Sequence, residues 1–301
     1  MEIGIIRPYE VEFNPGDVAD LEAAIAEKGH RATRIYIDMI EVRIDGGGLE
    51  LWQSVGRSEA RRVEVPGAVL RHLGIFRDFE QFSYRVFAAR ALELAGVVVV
   101  NPVLNWLAAG DKLASLLYLA KAGLPVPPTV VSENMFAAYR AVARFGESVV
   151  KPLRGAMGYG VFKVGDPDVA MHIFSMLINL NKPLYVQRYL EKEEGGDYRV
   201  VVVGGRVIGA EFRRAKGSWK SNVAQGARPE PAKLTGELEE LAVKAVEALG
   251  LEYGGVDIAA TKDGYYIFEV NPTMSWQGFK AATGVNPAPF IVERLLELLR
   301  R

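Results

Sequence analysis

Two hairpin signals in the second half of the chain restrict its fold more than any other feature. Tyr198–Val203 and Val207–Phe212 are apolar, β-branched segments joined through Gly204-Gly205, and Val256–Thr261 and Tyr265–Val270 are joined through Asp263-Gly264. Gly-Gly and Asp-Gly links supply the positive φ that the tightest antiparallel turns require. A third strand pair, Ser148–Lys151 and Val161–Val164, flanks the glycine-rich stretch Arg154–Gly160, and Leu184–Tyr189 reads as a further strand. Between the two tight hairpins, Leu238, Leu241, Ala242, Ala245, Val246 and Leu249 share one helical face that stops at Gly250. Antiparallel pairs punctuated by an amphipathic helix predict an α+β body.

The front of the chain has another rhythm. Ile3–Ile6 is a short strand, and Asn14-Pro15-Gly16-Asp17 is a turn and a possible cap. Val18, Leu21 and Ile25 then keep one helical face up to Gly29, and Arg34–Met39 is the next strand candidate. This β-α-β start predicts a small α/β domain with a parallel sheet. Gly4 alone makes no GxGxxG, so a dinucleotide site is not expected there. Gly46–Gly48 marks a turn before a return strand at Leu49–Trp52, while Arg57–Arg62 is too polar to place. Phe79–Leu94 reads as a helix ending near Gly96, and Val97–Val100 as a buried strand closed by Asn101-Pro102. Asp111 caps a helix that Gly123 stops, Pro125, Pro127 and Pro128 keep the chain extended, and Ser132 is taken to cap a helix carrying Met135, Ala138, Val142 and Phe145. A last helix covers about Pro287–Arg301. The expected division is an N-terminal α/β domain over 1–100, a central lobe over 101–183 and a C-terminal lobe over 184–301.

Composition limits the chemistry. The chain has 301 residues, 36 Lys plus Arg against 37 Asp plus Glu, and a formal net charge of -1. Such balance argues against a protein that coats nucleic acid or an anionic membrane. There is no cysteine, which excludes disulfides, thiolate metal sites and a thiol nucleophile. His30, His72 and His172 lie far apart with no HExxH pair. The apolar runs fall short of the ~20 residues that span a membrane, and Met1–Tyr9 lacks the features of a signal peptide, so a cytoplasmic protein is expected.

Four groups of residues remain for chemistry. Glycines in Arg154-Gly155-Ala156-Met157-Gly158-Tyr159-Gly160 let backbone N–H groups approach phosphates, although the stretch alone is equally an ordinary turn. Lys151, ending the apolar strand before it, would aim its charge at whatever the loop covers, or stand solvated at a strand end. Glu269 and Asn271 are an i, i+2 pair and so face one side of a strand, opposite the strand of Asp257. Three oxygen ligands on neighbouring strands suit Mg²⁺, the alternative being a solvated hairpin face. The basic stretch Arg213–Asn222 suits an anion clamp, against a plain surface loop or a nucleic-acid face.

The order of these groups resembles the ATP-grasp fold. Val149-Val150-Lys151-Pro152 with Gly155–Gly160, Asp197-Tyr198-Arg199, Arg213-Arg214-Ala215-Lys216, Lys220-Ser221-Asn222, Gly255-Val256-Asp257-Ile258, Glu269-Val270-Asn271 and Ala282–Asn286 are similar to the RimK family of amino-acid ligases over about 101–301. The resemblance implies an ATP-grasp fold behind an N-terminal parallel α/β domain. It implies Lys112 and Lys151 on the nucleotide phosphates, with Lys220 also at the nucleotide and a loop bearing Gly155, Gly158 and Gly160 closing over them. It further implies a hinge of Gln187, Arg188, Tyr189 and Leu190 beside adenine, with Asp197 nearby. Arg213 and Asn222 would hold the transferring phosphate, and Asp257, Glu269 and Asn271 would bind Mg²⁺ or Mn²⁺, two ions in all. The family often has Glu where Arg188 stands, which casts doubt on a side-chain role there but not on ATP binding.

The implied reaction is phosphorylation of a carboxylate by ATP, then attack by an amine on the acyl phosphate, with L-glutamate as the amine and a homo-oligomer as the assembly. The segment Pro272–Phe279, with its Trp-x-Gly character, resembles the branch that adds glutamate to tetrahydromethanopterin or a deazaflavin cofactor. Trp276 could stack on the flat ring there, or simply pack in a core. Related ligases modify a protein C-terminus or an amino-group carrier protein. A non-catalytic nucleotide-binding protein is the reading from another class.

Overall fold

The computed structural model describes residues 1–10, 14–75, 78–153, 160–215, 219 and 227–301. The front domain is a four-stranded parallel sheet in the order β2 (Arg31–Tyr36), β1 (Glu2–Arg7), β6 (Gly67–Leu70), β7 (Val98–Val100). β2 starts and ends three residues earlier than the Arg34–Met39 expected from sequence, because Ile37–Met39 tightens into a 3-10 turn. One sheet face packs on α2 (Phe79–Leu94), burying Val86, Ala89 and Leu92 against Ile6, Ile35 and Leu70. A meander of β3 (Ile40–Asp45), β4 (Gly48–Ser54) and β5 (Ala60–Arg62) lies beside it, so the polar stretch around Arg61 is an edge strand.

The other face of the front sheet is covered by α1 (Pro15–Glu27) and by α9 (Ala288–Leu298), the last helix of the chain. Gly67 on β6 permits this, since a Cβ there would fall 2.9 Å from the Leu295 side chain. The cluster so formed continues through Trp276 and Phe279 to Val201 and Val203, and thus joins the front sheet to the C-terminal sheet.

The central sheet is antiparallel, ordered β10 (Phe162–Val164), β9 (Ser148–Lys151), β11 (Leu184–Arg188), β8 (Thr129–Ser132). It is backed by α5 (Met135–Phe145) and α6 (Pro167–Asn179). Asn134 rather than Ser132 caps α5, its Oδ1 accepting from Phe136 N (2.9 Å), while Ser132 Oγ accepts from Asn134 N. The C-terminal sheet has five antiparallel strands, β14 (Arg228–Pro231), β13 (Arg206–Arg214), β12 (Gly196–Val203), β15 (Tyr253–Thr261) and β16 (Gly264–Asn271). Both tight hairpins therefore form, the first on Gly204-Gly205 as expected and the second on Lys262-Asp263, with Gly264 (φ 106°) already opening β16. α7 (Gly236–Ala248) covers one face of this sheet, and α8 (Gln277–Thr283) packs on β13 and β14.

The division at 183/184 and the assignment of 101–183 to one lobe need amendment. β11 hydrogen-bonds between β8 and β9, so the central lobe reaches Arg188. The helix α3 (Val103–Ala109) packs Val103, Trp106 and Leu107 on the front-domain core and only its end, Ala109, under α7, whereas α4 (Lys112–Lys121) buries Leu119 in that C-terminal core. No helix among the described residues is long and apolar enough to cross a membrane.

Candidate active site

Strand alternation sorts the C-terminal sheet into an oily side and a mixed side. Val200, Val202, Val256 and Ile258 point to α7. The residues between them face the other way, and two distinct stretches result. Val201, Val203 and Tyr253 pack under Trp276, whereas nearer the central lobe the same face carries Asp197, Arg199, Glu211, Arg213 and Asp257. Pairing sets three of these charges and Glu269 in one row across adjacent strands: Glu211 opposite Arg199, Arg199 opposite Asp257, and Asp257 opposite Glu269. The β15–β16 register shifts between Asp257 and Ile258, a bulge that re-aims the pair at the strand end.

This face closes one side of a cleft of about 420 Å³, and β9, β11 and the segment 189–192 close the other. The cleft brings together Lys112, Lys151, Gln187, Arg188, Tyr189, Leu190, Asp197, Arg213, Asp257, Glu269 and Asn271, all expected from sequence. Gly160 is described and lies exposed outside the lining. Gly155, Gly158, Lys220 and Asn222 lie outside the described residues. Sequence reasoning missed Lys192, Arg199 and His72, which also line the cleft. Arg199 stands inside a recognised motif, but its aim at Asp257 follows from strand register, which no local pattern encodes.

The cations are held by specific partners. Arg199 bonds Asp257 through two nitrogens, Nε on Oδ1 and Nη2 on Oδ2 (3.0 Å). Arg213 Nη2 bridges Asp257 Oδ2 (2.9 Å) and Asp197 Oδ1 (2.7 Å), and Lys192 Nζ takes Asp197 Oδ2 at 2.7 Å. Gly255 makes the first contact feasible, because a Cβ there would fall 2.9 Å from Arg199 Cδ and 2.7 Å from Met274 Sδ. Burial alone would raise the Asp257 carboxyl, but Arg199 and Arg213 outweigh it and hold the group at about 2. Burial pushes the Glu211 carboxyl up, with Arg199 and then Arg213 pulling against it.

On the opposite wall Lys151 Nζ donates to Gln187 Oε1 (3.1 Å) and lies 4.9 Å from the Tyr185 ring centroid. Burial lowers its pKa to about 8 despite the nearby Glu269 charge. Buried Gln187 donates in turn to Thr129 Oγ1 and Tyr185 OH, both at 2.9 Å. Lys112 opens α4, which Asp111 caps, and its Nζ stands 4.0 Å from Glu269 Oε1. Lys163 stacks 3.8 Å over the Tyr189 ring.

Among the described residues no three His, Cys, Asp or Glu side chains gather as a metal cluster. Asp257, Glu269 and Asn271 offer two carboxylates and one amide on adjacent strand ends facing the cleft, a donor set that fits a hard ion also served by water and phosphate. Turned so that its nitrogen meets Glu269 Oε1 and its oxygen meets Arg199 Nη2, each at 3.2 Å, the Asn271 amide joins the same network.

Trp276 does not face the cleft. It is fully buried, with Arg71 stacked 4.1 Å over its ring and its Nε1 donating to Asp20 Oδ2 (3.1 Å). The ring is thus a core residue pinning the segment after Asn271 to α1, and it offers no face for a ligand ring to stack on. Pro272 and Thr273 do line the cleft.

Two antiparallel lobes closed on such a cleft, behind a parallel front domain, are the ATP-grasp architecture. The chain belongs to the RimK-like ATP-grasp family, whose domain matches residues 109–295. That family catalyses ATP-dependent C–N ligation, and the chain is an enzyme of this kind. The tetrahydromethanopterin:alpha-L-glutamate ligase of Methanosarcina acetivorans is 33% identical, over 93% of this chain and 94% of its own length. The enzyme of the same name from Methanocaldococcus jannaschii is 34% identical, over 68% of this chain and 72% of its own. In fold the chain is similar to the ATP-grasp ligase PsnB solved with a minimal precursor, Mg and ADP (TM-score 0.73, 21% identity, 99% of this chain and 98% of that one). It is also similar to the RimK domain protein of Sphaerobacter thermophilus (TM-score 0.72, 24% identity, 98% and 100%).

Proposed function

We propose that this chain joins the amino group of L-glutamate to the carboxylate of a pterin or deazaflavin cofactor, with a tetrahydromethanopterin-type acceptor as the leading case. The observation that carries the reading is the likeness to the Methanosarcina acetivorans enzyme across 93% of this chain, front domain included. The acceptor carboxylate would attack the γ-phosphorus of ATP, breaking the bond to ADP. The glutamate nitrogen, as its free amine, would then attack the acyl carbon, phosphate would leave with the bonding pair, and the nitrogen would lose one proton and keep the other as the amide N–H.

Phosphoryl transfer asks a protein for position and charge rather than for a nucleophile. Lys112, Lys151 and Lys192 provide fixed positive charge along the cleft. Arg213, held on Asp197 and Asp257, would present its guanidinium to the transferred phosphoryl group without reorganising. Gln187 through Leu190 would form the wall beside adenine, where backbone groups rather than the exposed Arg188 side chain read the base. Asp257, Glu269 and Asn271 would hold Mg²⁺ or Mn²⁺, two ions in all. Metal held by these residues would supply positive charge to offset the charge that develops on the phosphates.

The test is ADP release by the purified chain with ATP, Mg²⁺ and L-glutamate, with and without tetrahydromethanopterin or a deazaflavin acceptor. Release that needs both glutamate and the cofactor, with a product heavier by one glutamyl residue, is expected. Turnover only with a protein C-terminus or a carrier protein would replace the acceptor. Turnover with none of these would overturn the reading.

A further inference from the structure

We propose that Glu211 is the second seat of Arg199: when a divalent cation takes Asp257, the Arg199 guanidinium passes across its own strand from Asp257 to Glu211. Glu211 is then a positioning residue, acting through Arg199. The inference rests on the reading of Asp257, Glu269 and Asn271 as the metal set.

The groups that Arg199 now engages are the very ones the cation needs. Its hydrogen bonds go to both oxygens of Asp257, and its Nη2 also meets the turned Asn271 amide. A divalent ion on Asp257 would compete with the bidentate guanidinium for the same oxygen lone pairs, and the two cations repel. Arg213 shares Asp257 but keeps its own counter-ion in Asp197, at 2.7 Å. Arg199 has no such second carboxylate among its bonded partners, and its side chain is only 15% exposed, so solvent offers it little. Release would leave it buried and uncompensated, the costly state for a charge.

Glu211 answers that need by position. It is Arg199's row neighbour on β13, as Asp257 is on β15. Directly paired residues stand about 4.5–5.5 Å apart at Cβ, so a long side chain reaches either neighbour by rotation alone, with the backbone still. Glu211 is 5% exposed, and its Oε2 is buried with no hydrogen-bond partner among the described residues. A buried acceptor left unsatisfied costs free energy that a structural carboxylate would not normally carry.

The test is Mn²⁺ titrated by electron paramagnetic resonance into the full chain with saturating ADP. Glu211→Gln should melt as the parent protein does but bind Mn²⁺ about tenfold more weakly, the scale of one charge-assisted hydrogen bond. Glu211→Asp, which keeps the charge, should recover most of the affinity. Arg199→Gln added to Glu211→Gln should also restore it, because the competitor for Asp257 is gone. Equal affinity in the parent and Glu211→Gln overturns the proposal, as does a loss that Arg199→Gln leaves in place. If Glu211→Gln does not fold, Arg199→Gln alone decides: it must bind Mn²⁺ more tightly than the parent, and equal or weaker binding overturns the proposal. Asp257→Asn separates the two levels of inference. Parent-like Mn²⁺ affinity in that variant removes the metal set and the role of Glu211 together. Loss there beside an unaffected Glu211→Gln removes only the latter.

Discussion

Lys151 illustrates how one strand end becomes a binding group. The valines before it, Val149 and Val150, are buried and fix the strand, and the ammonium emerges over the Tyr185 ring with Gln187 as its hydrogen-bond partner. Its charge is poorly solvated, so a phosphate that arrives meets a cation already stripped of most water. Lys151→Met should weaken ATP binding by about 10- to 100-fold, the loss of a charged hydrogen bond, with the fold intact. Calorimetry giving parental affinity would remove Lys151 from the site.

His72 carries a second residue-scale consequence. Its Nδ1 accepts from Gly74 N (2.9 Å), and burial, with Arg71 beside it, lowers its pKa from 6.5 to about 4. The unfolded chain therefore binds the proton more readily, and stability falls as pH drops from about 6.5 through about 4. Urea midpoints should decline across that window, and His72→Gln should flatten the decline. A parental slope in the variant would place the titration elsewhere. Lys151, Asp257, Glu269 and Asn271 were legible in the sequence because strand alternation and i, i+2 spacing are local rules. Arg199 and Glu211 were not, because their meaning lies in which strand stands opposite which. Trp276 misled for a related reason: an aromatic after a metal motif looks alike in sequence whether it faces a cleft or a core.

At the scale of elements, the turns were the most readable parts. Gly204 (φ 57°) and Gly205 (φ 74°) both occupy the left-handed region that a two-residue hairpin link needs. The helices α3, α6 and α8 and the strand β6 escaped notice, being short, lacking clear stops, or made apolar by burial on both sides. Gly255 was readable only as part of a motif, although its structural work is to let Arg199 lie across β15. Gly255→Ala should displace Arg199 and Met274, costing about 1–3 kcal/mol by overpacking and depressing turnover as well. Unchanged melting and kinetics would show that the strand yields there without consequence.

On the scale of the molecule, the sequence indicated a front domain and two lobes, but not how they are tied. Helix α9 returns to the first sheet, and α4 crosses to the C-terminal core, so chain order and spatial order diverge. Such pairings depend on contacts between distant segments, which periodicity cannot register. Leu295 is fully buried between α9 and the front sheet. Leu295→Ala should cost about 2–5 kcal/mol, and hydrogen exchange should quicken in β6 and β7 as well as in α9. Protection lost in α9 alone would mean that the front sheet is held independently.

The return of α9 also bears on how the chain is made. A ribosome delivers β1, α1, β2, β6 and β7 long before it delivers α9, so the part of that sheet face that α1 leaves bare waits uncovered while the intervening polypeptide is synthesised. The front domain then completes its folding late, when α9 emerges, and a nascent chain stalled before that point offers chaperones a defined apolar target.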